Sequence, residues 1–202
     1  MQLSDVYSDD WGPGEIRKPL LWLDGRIECF DVINTTANTP HKFGGTFDQD
    51  VSPAVLHRLA EIDLRTFWAG PLDRILFLFP FRHDGGALTY RMAGSDVEVV
   101  ELDPPTPSED WPAPGYPTAF PQLPLIHLGG FNLEVEAFGE LLPQGFFPFF
   151  DHKDLIHFVF PAMCMKRSGV SLWGEHGDEE NVLCVFQIDS ATGTVHARNQ
   201  CG

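Results

Sequence analysis

The sequence predicts an α+β protein that is built mainly on antiparallel sheet and contains few short helices. Three observations support this prediction. The 202 residues include 17 Phe, 19 Gly and 17 Pro, a composition that favours strands and tight turns over long helices. Several apolar runs of strand length are separated by turn dipeptides. One segment, SPAVLHRLAEIDL at 52–64, carries a helix start signal.

The first predicted element is a hairpin in LLWLDGRIECFDV, residues 20–32, where apolar residues flank Asp24-Gly25. This dipeptide tolerates the positive φ angles of a type I′ turn. In 52–64, Ser52 can cap a helix that begins at Pro53. The apolar residues that follow also alternate with acidic ones, as in a strand. A short helix that runs into a strand satisfies both patterns.

A second hairpin is predicted in ILFLFPFRHDGGALTYRM, residues 75–92, with its turn at 84–86. VEVVEL at 97–102 is predicted to be a further strand. Residues 103–124 contain eight prolines, which predicts an extended surface segment. This segment divides a single domain, residues 1–202, into halves of about 15–102 and 125–202.

The second half contains another predicted hairpin, FFPFFDHKDLIHFVF at 146–160, and a continuous apolar run, VLCVF at 182–186. Such a run is typical of a strand that is buried on both faces. The residues that follow this apolar run are mainly polar.

Two short motifs occur in both halves of the chain. Ile-Asp closes an apolar run at 62–63 and again at 188–189, and a His precedes a Gly pair in HKFGGT (41–46) and HLGGF (127–131). The repetition favours two similar structural units that share a core. We expect the Asp side chains to close strand ends, and the Gly pairs to serve turns and close backbone approach.

These motifs resemble those of the YwqG-like family of bacterial proteins, whose biochemical function is not established. The similar segments are FGG at 43–45, LAEIDL at 59–64, LFLF at 76–79, HLGG at 127–130 and FQIDS at 186–190. They occur in the family's order and cover about residues 41–190. The resemblance implies an α+β fold on antiparallel sheet, and it implies no catalytic residues.

The charge of the chain is strongly negative. Asp and Glu number 29 against 13 Lys and Arg, a formal net charge of −16. Direct nucleic-acid binding is disfavoured, because it depends on Lys and Arg that neutralise phosphates. The charge serves solubility or, alternatively, attracts a basic protein partner by electrostatic steering.

The cysteines and the N-terminal sequence predict a cytoplasmic protein. Cys29, Cys164, Cys184 and Cys201 form no C-x-x-C pair, so a zinc ribbon is not indicated. The start, MQLSDVYSDDWGPG, lacks the pattern of a signal peptide. No apolar run is long enough to span a bilayer, so we expect no membrane association.

Known catalytic and cofactor motifs are absent from the sequence. No G-x-S-x-G and no Gly-rich phosphate loop occurs, and Cys164 between two Met residues has the pattern of a packed side chain. The sequence therefore predicts no cofactor. A metal site is an alternative, because Asp151, His152, Asp154 and His157 are close in sequence and His83-Asp84 occupies the turn of the other hairpin.

Three functional hypotheses follow from these observations. The preferred one is a non-catalytic acidic binding protein, an immunity or antitoxin-type inhibitor that occupies a basic toxin enzyme such as a nuclease. The alternatives are a metal-dependent hydrolase that uses the His and Asp residues of the hairpin turns, and a scaffold domain that presents the Pro-rich segment. The predicted partner-binding residues are carboxylates and aromatic anchors: Glu109, Asp110, Trp111, Tyr116, Glu175, Asp178, Glu179 and Glu180.

Overall fold

The computed structural model describes residues 7–8, 15–84, 86–94, 96–111, 115–133, 155–174 and 182–201. Thirteen strands cover about half of these residues. In chain order they are β1 (Tyr7–Ser8), β2 (Glu15–Ile16), β3 (Leu20–Leu23), β4 (Arg26–Val32), β5 (Lys42–Phe43), β6 (His57–Asp63), β7 (Arg74–Phe79), β8 (Ala87–Ala93), β9 (Asp96–Asp103), β10 (Leu123–Asn132), β11 (Leu155–Pro161), β12 (Val182–Asp189) and β13 (Thr194–Cys201).

The prediction of an α+β fold is wrong, because eleven of these strands form one curled antiparallel sheet. The strand order is β7-β6-β5-β10-β4-β3-β11-β12-β13-β8-β9, and β1 pairs with β2 separately. Within the described ranges, the only helical segments are 3-10 turns at Leu64–Thr66 and Ala162–Ser168. The protein is therefore nearly all β.

The helix predicted from Pro53 does not form. Residues 57–63 are instead strand β6, which pairs with β5 on one side and β7 on the other. The residues before it form a turn, in which the Ala54 N–H donates to the Val51 carbonyl (3.1 Å). Six of the seven residues of β6 have a ladder partner on β7, and Ala60 and Glu61 have a second one on β5. This pairing outweighs a weak helix start signal.

Two other local predictions are confirmed. Strands β3 and β4 form the predicted hairpin, and Asp24 and Gly25 have φ angles of 48° and 74°, as a type I′ turn requires. Strand β12 is buried on both faces: Cys184 and Phe186 join the main core, whereas Leu183 and Val185 join a smaller cluster on the opposite face.

The predicted pairing of 75–79 with 87–92 is wrong. Strand β7 pairs with β6, and β8 pairs with β9 and β13, so β7 and β9 are the two edges of the sheet. The chain turns away at Pro80, whose carbonyl accepts a hydrogen bond from the His83 N–H (2.9 Å). Proline lacks the N–H that would continue the ladder.

The sheet curls until its first edge lies against β8, and we call this junction the seam. The Tyr90 hydroxyl donates to the Leu76 carbonyl (2.6 Å) and accepts from the Leu78 N–H (3.1 Å). The Leu76 N–H contacts the sulfur of Met92 (3.5 Å). Side chains thus replace the partner strand that β7 lacks.

A continuous aromatic core fills the inside of the curl. The ring of Phe77 on β7 stacks on Phe158 of β11 with centroids 4.0 Å apart, and it also contacts Phe186 of β12 at 5.0 Å. These strands are far apart in the sheet order, so the contacts require the sheet to wrap around its own side chains. Strands from the two predicted halves alternate in this sheet and contribute to the same core.

The polar C-terminal stretch forms strand β13, which the sequence reading missed. Val195 and Ala197 are buried, whereas His196 between them is exposed. This alternation matches a strand with one buried face, but the polar composition hides it.

The repeated Ile-Asp units end strands, as predicted. The Asp63 carboxylate ends β6 and accepts from the Arg65 N–H (3.1 Å), and Asp189 ends β12 and accepts from the Ala191 N–H (2.8 Å). Both side chains cap the turn that follows their strand, which is a structural role.

Candidate functional site

The predicted partner-binding residues have different surroundings. Glu109 and Asp110 are exposed, and Trp111 packs with its partly buried ring against the main core. Tyr116 is not a surface anchor, because it is only 8% exposed and its hydroxyl donates to the Leu172 carbonyl. The other four residues, Glu175, Asp178, Glu179 and Glu180, lie outside the described residues.

The Pro-rich segment is held against the body of the protein where the structure describes it. The imidazole of His57 hydrogen-bonds the Pro117 carbonyl (2.8 Å), and that of His83 hydrogen-bonds the Pro104 carbonyl (3.0 Å). Phe120 adds a buried ring. Between the end of β9 at Asp103 and the start of β10 at Leu123, the described residues of the segment form no strand, but they are packed rather than presented freely.

The alternative metal site receives no support from the residues that the structure describes. His157 is fully buried on β11, with its ring 5.7 Å from that of Trp22. His83 is also buried, and its Nε2 atom accepts from the Val55 N–H (3.1 Å). In the described ranges no three His, Cys, Asp or Glu side chains are placed to hold an ion together; Asp151, His152 and Asp154 lie outside those ranges.

The most distinctive surface feature is the edge strand β9, whose acidic side chains face solvent. We define the acidic edge as the exposed residues of this strand, which are Asp96, Glu98, Val100, Glu101 and Asp103. An extra residue in β9 creates a bulge opposite Thr89 and Tyr90, and Val100 at this bulge is 54% exposed. Exposed apolar and acidic side chains therefore occur on the same strand.

No described strand pairs with the outer side of β9. The side-chain amide of Gln49 makes two hydrogen bonds to the backbone of Val97. Its NH₂ group donates to the Val97 carbonyl, and its oxygen accepts from the Val97 N–H (2.7 Å). On the acidic edge, an ion pair joins Glu98 to Arg91 (3.6 Å), and both side chains are more than half exposed. This surface therefore offers backbone groups and negative charge together.

A second feature is buried and brings the two repeated His-Gly-Gly segments together. The rings of His41 and His127 lie with centroids 6.1 Å apart, and the rings of Phe30 and Phe67 pack against both. We call these two residues the histidine pair. Sequence reasoning noticed the repeated motif but did not predict that its members meet.

Glu28 anchors one member of the histidine pair. This fully buried carboxylate accepts hydrogen bonds from His127 Nε2 (2.8 Å) and from Arg26. Burial alone raises the pKa of Glu28, but the two hydrogen bonds outweigh that effect and hold its pKa below the ordinary value. Gly130 leaves the space for this carboxylate, because a Cβ atom there would overlap Glu28 Oε2 and the Ile27 carbonyl.

The other member, His41, is held as a neutral ring. It is 2% exposed, and its Nδ1 atom accepts from the Asp63 N–H (3.1 Å), which places the proton on Nε2. Burial, together with repulsion from His127, lowers the pKa of His41 to about 4. A ring with its proton on Nε2 is a poor ligand at that atom, so this arrangement favours a structural pair over a metal centre.

The buried histidines predict acid sensitivity. We expect the free energy of unfolding to decrease as the pH falls from about 7 to about 5. Histidine in the unfolded chain has a pKa of about 6.5. In the folded protein the pKa of His41 is about 4, and the pKa values of His57 and His83 are also lowered. Between these values the unfolded chain binds more protons. The full shift of His41 corresponds to about 3 kcal/mol. Urea unfolding at a series of pH values measures this effect.

The variant His41→Gln tests the assignment. The free energy of unfolding of this variant should change less with pH than that of the wild type. The control is His196→Gln, which replaces an exposed ring and should keep the pH dependence of the wild type. If the free energy of unfolding of His41→Gln depended on pH as strongly as that of the wild type, His41 would not be a source of the acid sensitivity.

The fold and the acidic edge together define a class: an antiparallel all-β protein with an open, negatively charged sheet edge. No protein-family model, curated protein or solved structure matches this chain. In the described part of the structure, no helix has the length and apolar character needed to cross a membrane.

Proposed function

We propose that this protein is a non-catalytic acidic binding protein whose acidic edge docks a basic protein partner. The specific form of the proposal is a bacterial immunity or antitoxin-type inhibitor that occupies a basic toxin enzyme such as a nuclease. The observation that carries the proposal is the acidic edge itself, which combines a strand edge that no other described strand covers with exposed carboxylates.

The mode of docking that this surface supports is strand addition. An extended segment of the partner would pair with the outer side of β9, and its Lys or Arg side chains would lie beside Glu98 and Glu101. Main-chain hydrogen bonds supply affinity in this mode, and side-chain contacts supply specificity. Two copies of the acidic edge repel each other, because like charges on paired strands are destabilising, so the charge favours a basic partner over self-association.

The net charge of −16 supports the same proposal at longer range. A strongly negative surface accelerates encounter with a basic protein, and this acceleration decreases as salt increases. The predicted complex therefore forms fastest at low ionic strength.

A fluorescent peptide of alternating Lys and Val tests the proposal. We expect it to bind the wild-type protein at low salt, and we expect Glu98→Gln/Glu101→Gln to weaken binding by about tenfold, since each exposed charge pair contributes up to about 1 kcal/mol. Fluorescence anisotropy measures the affinity at low and at high salt.

The matched control replaces two exposed carboxylates elsewhere, Asp73→Asn/Asp84→Asn. This variant carries the same net charge as the edge variant and should bind almost as the wild type does. Equal weakening in both variants would show that only the overall charge matters, and it would reject the acidic edge as the docking site.

A further inference from the structure

A pocket of about 310 Å³ lies at the seam, where the two ends of the curled sheet approach each other. Residues of β6 and β7, at one end of the sheet, and of β8 and β9, at the other end, line the pocket together with the loop at 46–49. Gln49 of this loop hydrogen-bonds the backbone of Val97 on β9. Leu76 and Met92 contribute apolar surface between the two sides. Its volume is within the range of small-molecule sites.

The β6–β7 side carries two arginines. Arg58 is held by Gly44, Glu61 and Gln122, through bonds from Nε to the Gly44 carbonyl (2.6 Å), from Nη1 to Glu61 (3.3 Å) and from Nη2 to Gln122 (3.1 Å). The loop passes so close that a Cβ at Gly45 would overlap this guanidinium, and the φ angle of +87° at Gly45 favours a glycine there.

Arg74 supplies the accessible positive charge of this side. Its side chain is 48% exposed, and its one hydrogen bond to the described residues joins Nη1 to Glu61 Oε1 at 3.5 Å. Glu61 also pairs with Arg58, so two guanidinium groups share one carboxylate and this side of the pocket has a net positive charge. The remaining N–H groups of Arg74 can donate to a carboxylate.

The opposite side of the pocket carries carboxylates. Asp48 stands on the loop at 46–49 and Asp96 begins β9. The Asp48 carboxylate accepts only a long hydrogen bond from Thr46 Oγ1 (3.4 Å) among the described residues. The lining of the pocket therefore combines positive and negative side chains with the apolar side chains of Leu76 and Met92.

We propose that this pocket binds a small zwitterion whose ammonium and carboxylate groups are separated by an apolar chain, namely an ω-amino acid. The carboxylate of the ligand lies at Arg74 and Arg58, its ammonium group lies at Asp48 and Asp96, and its methylene chain covers Leu76 and Met92. Each end of the ligand has an oppositely charged partner, and the apolar middle excludes water from the Leu76 and Met92 side chains. The pocket shares Asp96 with the acidic edge, but the inference concerns a different ligand and its other lining residues lie outside that edge, so it does not depend on the proposed function.

Isothermal titration of the full chain with ε-aminocaproate tests the proposal. We expect saturable binding, and we expect pentylamine and caproate, which each carry one of the two charges, to bind about tenfold more weakly. Leucine, whose charges are adjacent, should also bind more weakly. Equal affinity for any of the three would overturn the proposal, and so would the absence of binding by ε-aminocaproate.

Two variants locate the site, and a third is the control. Arg74→Gln and Asp48→Asn should each weaken ε-aminocaproate binding by about tenfold. Arg91→Gln removes an exposed arginine that pairs with Glu98 outside the pocket and should bind as the wild type does. Circular dichroism melts verify that each variant is folded. Wild-type affinity in both Arg74→Gln and Asp48→Asn would overturn the assignment.

Discussion

Replacing Tyr90 by Phe is expected to lower the free energy of unfolding by about 2–4 kcal/mol. The hydroxyl of this fully buried residue is the hydrogen-bond partner of two backbone groups on the edge strand β7, the Leu76 carbonyl and the Leu78 N–H. Phenylalanine fills the same space but leaves both groups without that partner. A buried polar group that loses its partner costs about 1–3 kcal/mol, and here two groups are affected.

Urea unfolding measures the effect as a shift of the midpoint at constant slope. The control is Met92→Leu, which removes the weak sulfur acceptor of the Leu76 N–H while it retains apolar volume, and it should cost less than about 1.5 kcal/mol. Burial raises the pKa of Tyr90, so the hydroxyl keeps its proton and donates at neutral pH. Similar losses in the two variants would contradict the proposed closure of the seam by Tyr90.

Replacing Gly130 by Ala is expected to destabilise the protein by about 3 kcal/mol or more. The added Cβ would overlap the backbone carbonyl of Ile27 on the neighbouring strand and the carboxylate of Glu28. A backbone atom in the middle of a sheet cannot move without disturbing the ladder. Displacement of Glu28 would also break its hydrogen bonds to His127 and Arg26, which would leave a buried charge without partners.

Gly94→Ala is the matched control for this prediction. It introduces the same methyl group at a turn where nothing lies within 4 Å, and its cost of about 1–2 kcal/mol comes from a φ angle of +68°. The midpoints of urea unfolding compare the two variants. If Gly130→Ala were no more destabilising than Gly94→Ala, the close packing of β10 on β4 at this point would be disproved.

Local sequence signals predicted the elements that depend on neighbours in the chain. Asp24-Gly25 forms its hairpin because both residues tolerate positive φ, and the apolar run at 182–186 becomes a doubly buried strand. The helix at Pro53 was a wrong prediction, because strand pairing on both sides of β6 outweighed a local start signal. The pairing of β7 with β8 was also wrong. Strand β7 pairs back with β6, and β8 pairs with β9 and with the distant β13, a choice of partners that no local signal records.

The candidate sites were less accessible to sequence reasoning. The alternation in VEVVEL predicted strand β9, but its position at a sheet edge follows from the order of eleven strands. Tyr116 was predicted at an interface because of its residue type, whereas the curl of the sheet places it in the core. The repeated His-Gly-Gly motif was visible, but the contact of His41 with His127 depends on the pairing of β10 with both β4 and β5.

The sequence by itself determined that this protein is rich in strands and strongly acidic, and that glycines occupy its turns and close approaches. These properties follow from composition, alternation and turn preference, which act over a few residues. Only the tertiary structure decided which strands pair, which edges stay open, and which polar groups meet. Those outcomes depend on contacts between residues as distant as Glu28 and His127. The burial of aromatic rings inside a curled sheet selects such contacts, and no short segment contains the information that selects them.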